Sequence, residues 1–113
     1  MTGRVLILVL ALAALPGMAA AEINMQTNRY TCERGVEVPV TYVNDGETSV
    51  VVLMVDGGQV SLYGEPAASG ARYGWPSDGS NYVWLSQGDT AMLMWKDETG
   101  AETPIFTACV LQQ

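Results

Sequence analysis

Residues 36–63 read VEVPVTYVNDGETSVVVLMVDGGQVSLY, and this stretch decides the fold. Val36, Val38, Val40 and Tyr42 recur at every second position, the period of a strand with one face in a core. Asn44-Asp45-Gly46 follows, three residues that tolerate the positive φ of a tight turn, so the next run should fold back as a hairpin. That run, Ser49 to Val55, is rich in β-branched residues and stops at Asp56-Gly57-Gly58, after which Gln59 to Tyr63 alternates again. A second hairpin is expected there. Pro39 cannot donate to a ladder, so its N–H side should meet an edge or a bulge.

Outward from this centre the same punctuation continues. Asn28 to Glu33 is a candidate first strand carrying Cys32, and Ala71-Arg72-Tyr73, Tyr82 to Ser86, Thr90 to Lys96 and Ile105 to Leu111 complete the set. Gly and Asp turns separate them, and no amphipathic helix of useful length appears. About eight short strands at even spacing predict an all-β domain, either a small antiparallel barrel or a two-sheet sandwich. The barrel is preferred because closure protects its edges.

Residues 1–21 have a different character. Arg4 precedes an uninterrupted apolar run from Val5 to Leu15, Pro16-Gly17 breaks it, and Ala19-Ala20-Ala21 supplies small residues. This is the layout of a secretory signal peptide, and the run is shorter than the roughly 20 residues a membrane span needs. No Cys stands at the expected cleavage point, so a soluble periplasmic domain of residues 22–113 is expected rather than a lipoprotein. In an oxidising compartment Cys32 and Cys109, the only two cysteines of the chain, are expected to form one disulfide.

Composition excludes several functions. The chain carries 12 acidic against 5 basic residues and no His, a formal charge of −7; loss of the leader removes Arg4 and no acid, giving −8. A basic footprint for nucleic acid is missing. Without His, the commonest general base and the imidazole ligand are unavailable. There is no phosphate-binding loop, no EF-hand spacing and no Ser/His/Asp set, and the acid pair Asp97-Glu98 sits in a Gly-containing turn where a solvated surface is the ordinary explanation. A binding protein that is not an enzyme, with no metal and no cofactor, is expected.

One segment stands apart. Ala68-Ser69-Gly70-Ala71-Arg72-Tyr73 places a hydroxyl, a glycine and an Arg-Tyr pair between two strands, and Tyr82-Val83-Trp84-Leu85-Ser86-Gln87-Gly88-Asp89 follows. Together they resemble the two signature motifs of the membrane-bound and periplasmic inhibitors of chicken-type lysozyme, the MliC/PliC family. Tyr30-Thr31-Cys32, the Val38-Val40-Tyr42 pattern and Cys109 match that family's layout as well. The resemblance implies an eight-stranded barrel whose two motif loops enter the active-site cleft of a c-type lysozyme, protecting bacterial peptidoglycan. In the family, the serine of the first motif and a lysine of the second contact the catalytic carboxylates. Ser69 matches the serine, whereas Gln87 stands at the lysine position and the gap between the motifs is longer.

The expected lysozyme-binding set is therefore Ser69, Gly70, Ala71, Arg72, Tyr73 and Gln87, with Trp75 in the longer gap adding apolar contact area. Gln87 can donate through its amide but without the charge of an ammonium; Arg72 is either a replacement cation or a partly buried arginine supporting its own loop. The acidic balance suits a cationic partner. Two other readings compete: a carrier holding an apolar molecule inside the barrel, and an exported adaptor of the same fold with inhibition weakened or lost.

Overall fold

The structure, a computed structural model, describes residues 22–113. The expected signal peptide, residues 1–21, lies outside the described residues. Eight strands run in chain order: β1 (Asn24–Thr31), β2 (Glu37–Asn44), β3 (Ser49–Val55), β4 (Gly58–Glu65), β5 (Ala71–Gly74), β6 (Asn81–Gln87), β7 (Thr90–Lys96) and β8 (Glu102–Leu111). Each pairs antiparallel with the next and β8 returns to β1, so the sheet closes into a barrel. The sandwich alternative falls with that closure.

The register explains the core. Tyr30 faces Val38, Val40 faces Leu53, Val51 faces Leu62, and Tyr73 faces Trp84, which in turn faces Leu93. All of these are buried and belong to one cluster, so the period-two pattern of residues 36–63 is the inner wall of the barrel. Trp84 is fully buried, its ring edge-on to Tyr30 at 5.2 Å between centroids. Its indole N–H donates to the Tyr42 hydroxyl at 2.9 Å, and that hydroxyl also shares a 2.9 Å hydrogen bond with Tyr30. The polar atoms of Trp84, Tyr30 and Tyr42 thus satisfy one another, as burial requires. Buried side chains fill the middle of the barrel, which speaks against the reading of an apolar molecule enclosed within it.

β1 and β8 differ most from expectation. β1 begins at Asn24 and stops before Cys32; its first half, with Gln26 and Asn28 on the same face as Tyr30, has no apolar alternation and was invisible to a hydrophobic pattern. Past Cys32 the chain makes one 3₁₀ turn, Glu33–Gly35, with Arg34 and Gly35 at φ of 60° and 72°. β8 begins at Glu102, three residues before the apolar run at Ile105. Pro39 lies just outside the β2–β3 ladder, whose first pair is Val40 with Leu53.

Barrel closure depends on a short seam. β1 and β8 share only the pairs Tyr30–Leu111 and Thr31–Val110. The Cys32–Cys109 disulfide stands at the next step of the same register, its Cα atoms 3.9 Å apart, and so staples the seam. Joining residues 77 apart constrains the unfolded chain by about 4.5 kcal/mol in the loop-entropy model. Beside it, β8 carries one extra residue between Phe106 and Cys109. The Glu33 carboxylate accepts from the Thr107 N–H at 2.8 Å and the Ala108 N–H at 3.0 Å, serving as a surrogate ladder partner for that bulge.

Candidate functional site

Antiparallel topology sorts the connections between two ends of the barrel. The β4–β5 loop (residues 66–70), the β6–β7 turn (88–89) and the β2–β3 loop (45–48) share one end with the start of β1. The β5–β6 loop (75–80), the β3–β4 turn and the β7–β8 loop occupy the other. Both motifs therefore present their connections at the same end, although 18 positions separate Ser69 from Gln87.

What joins them is Gly70. Its φ is +65°, and a Cβ there would collide with the Ser86 carbonyl oxygen and stand 3.2 Å from the Gln87 Cβ. Only glycine combines that backbone conformation with that approach. The first motif loop is consequently laid flat against the end of β6, and Ser69, Ala71, Ser86, Gln87 and Thr90 line one groove of about 220 Å³. Gly88, at φ +60°, takes the first central position of the two-residue turn that follows, and the Thr90 hydroxyl donates to the Gln87 carbonyl at 3.0 Å. Ser69 and Gln87 are both exposed. A hydroxyl and an amide side by side on an exposed edge of small residues can donate to a carboxylate and admit close backbone approach; nothing in this arrangement activates a nucleophile or holds a cation. Among the described residues no group of three or more His, Cys, Asp or Glu is placed to bind a metal.

The remaining expected site residues fall elsewhere. Tyr73 is buried, its ring 5.7 Å from that of Tyr42, and burial raises its hydroxyl pKa; it supports the loop from inside the barrel. Arg72 points outward into an ion-pair network. Its Nε donates to Glu65 Oε1 at 3.3 Å, and Nη1 and Nη2 donate in parallel to the two oxygens of Glu102 at 3.1 and 2.9 Å. With its charge already shared between two carboxylates, Arg72 fits the reading of an arginine supporting its own loop better than that of a replacement cation. Trp75 is at the opposite end of the barrel, its ring 5.7 Å from that of Tyr63. The structure does not bring it to Ser69 and Gln87, because β5 carries the chain from one end to the other between them.

One feature of this end escaped the sequence reading. Beside the motif loops an open depression of about 1,110 Å³ is floored by Tyr30, Tyr42 and Tyr73 and walled by Gln26, Asn28 and Ser86, with Asp45 and Asp89 at its edge. The signal lay in Gln26 and Asn28, which extend the alternation of Tyr30 with polar residues.

The model of the membrane-bound lysozyme-inhibitor of c-type lysozyme, MliC, matches residues 30–102, a span that holds both motifs. The chain belongs to the MliC family. It is 32% identical over 97 residues to the membrane-bound lysozyme inhibitor of C-type lysozyme from Pseudomonas aeruginosa, an alignment covering 85% of this chain and 71% of that protein. Its fold is similar to that of Pseudomonas aeruginosa MliC solved in complex with hen egg white lysozyme, with a TM-score of 0.63, 26% identity and coverage of 99% of this chain and 100% of that one. It is also similar in fold to PliC, the periplasmic lysozyme inhibitor of C-type lysozyme from Salmonella typhimurium, with a TM-score of 0.66, 23% identity and coverage of 80% and 100%.

Proposed function

We propose that this protein is an exported inhibitor of c-type lysozyme that blocks the enzyme's cleft with the groove edge formed by residues 69–71 and 86–87. The observation that carries the proposal is the seating of Gly70 on Ser86 and Gln87, which fuses two MliC motifs into one exposed surface. Ser69 donates its hydroxyl to a catalytic carboxylate and Gln87 donates its amide where relatives carry an ammonium. Gly70 and Ala71 allow the backbone to approach. Tyr73 and Arg72 act from below and beside the loop, and Trp75 takes no part. In this reading the protein performs no catalysis of its own; it withholds bacterial peptidoglycan from a muramidase. Residues 1–21 direct export and are removed, leaving residues 22–113 in the periplasm without a lipid anchor.

The net charge of the domain supports the same partner, since an acidic domain is drawn to a cationic enzyme. Gln87 favours a second reading, an adaptor of the same fold whose inhibition is weakened, because a neutral amide lacks the charge-assisted hydrogen bond of a lysine. Lysis of a cell-wall suspension by hen egg white lysozyme, titrated with purified residues 22–113, separates the two. The inhibitor reading predicts saturable inhibition at micromolar concentration or below; full lysis at that concentration sinks it.

A further inference from the structure

β5 has only four residues, and the motif loop hangs between it and β4. Glu65 and Arg72 are cross-strand partners at the root of that loop. From this root the Arg72 guanidinium reaches along the outer wall to Glu102, the first residue of β8, which it grips with two parallel hydrogen bonds. Gly74 leaves room for the arrangement: a Cβ there would collide with the Glu65 carboxylate. Within the same span, Val83 faces outward from β6, opposite in sense to Trp84, and yet is fully buried. The side chains of Arg72, Glu65 and Glu102 are themselves only about a quarter exposed, at 24%, 28% and 27%. Three of the five guanidinium N–H groups, one on each nitrogen, donate within the protein, so the plane of Arg72 is fixed and its charge is shared between Glu65 and Glu102.

We infer that Arg72 is a positioning residue: with Glu65 and Glu102 it clamps the root of the motif loop to the barrel wall, so that Ser69 is held in place before any partner arrives. The inference rests on the inhibitor reading above and concerns how affinity is obtained. A loop of small residues has little packing of its own to order it, and ordering it on binding opposes affinity. A clamp anchored on a distant strand removes that cost in advance. Glu102 belongs to this clamp although it is remote from the groove in sequence and in the barrel.

A double-mutant cycle tests this, with inhibition of hen egg white lysozyme and amide hydrogen exchange of the free protein as readouts. Arg72→Ala and Glu102→Gln are each expected to weaken inhibition about tenfold. The double variant should be no weaker than Arg72→Ala alone, and Arg72→Lys, which cannot fork, should fall between. In the same variants the amides of residues 67–70 should exchange faster in the free protein, while those of Val51 and Leu93 keep their protection. If Glu102→Gln inhibits as well as the parent while Arg72→Ala does not, Arg72 touches the enzyme directly and the clamp is overturned. If the parent protein fails to inhibit at all, the inhibitor reading is lost and exchange alone decides the clamp: unchanged rates at 67–70 in Arg72→Ala overturn it.

Discussion

At the residue scale the account turns on Gly70, Ser69 and Gln87. Gly70→Ala introduces both an unfavourable φ and a contact with the Ser86 carbonyl, a combination that costs on the order of 1–3 kcal/mol. It should lift the loop off β6, lowering inhibition at least tenfold while the barrel's near-ultraviolet circular dichroism persists. Ser69→Ala should weaken inhibition by about tenfold, the loss of one hydrogen bond to a charged group at about 1.5 kcal/mol. Gln87→Lys should strengthen it by a similar factor and make the inhibition constant more sensitive to salt; an unchanged constant would mean that Gln87 does not reach a carboxylate. Trp75→Ala should leave inhibition unaltered, because Trp75 stands at the far end. The small-residue motif was legible in the sequence because Ser, Gly and Arg-Tyr stand together there. A loop-supporting Arg72 was one of two readings open from the residues, but its partner Glu102 was not legible, since it lies 30 positions away and sequence spacing gives no hint of that contact.

At the element scale, the inner wall was readable from the alternation of Val38, Val40, Tyr42, Val51 and Leu53, which needs only that one strand face be buried. The polar half of β1 and the bulge of β8 were not, because their partners are an open depression and a side chain rather than apolar neighbours. Glu33 shows how such a segment is held. Hydrogen bonds from the Thr107 and Ala108 backbone amides lower its carboxyl pKa to about 2. A carboxyl depressed in the folded state stabilises that state above the ordinary glutamate range near 4.5 and loses the effect as pH falls toward 2. Glu33→Gln should therefore lower the thermal midpoint at pH 7, and the gap from the parent protein should close as the pH is taken below about 2. A pH-independent gap would assign the loss to packing instead. Asp45 and Asp97, each lowered by hydrogen bonds within its own turn, act in the same direction in the parent and cancel from the comparison.

At the scale of the whole molecule, closure rests on two strand pairs, the Gln112 hydrogen bonds to Arg29 and Thr31, one disulfide and the Glu33 contact. Cys32→Ser with Cys109→Ser should lower stability by up to about 4.5 kcal/mol, read as a lowered denaturation midpoint with a steeper slope, because the unfolded chain is no longer held compact. The same staple keeps β1 beside the β6–β7 turn, so the double variant should also lose inhibition near its unfolding temperature. Net charge acts at this scale too: the association rate with a cationic lysozyme should fall steeply between low and physiological salt, whereas the dissociation rate should change little. Binding of residues 22–113 to hen egg white lysozyme, measured by calorimetry with and without a chitin oligosaccharide filling the cleft and paired with a lysis assay lacking the oligosaccharide, is the decisive measurement. One-to-one binding that inhibits lysis and is weakened by the oligosaccharide is expected. Undiminished lysis, or binding indifferent to the oligosaccharide, would contradict cleft blocking.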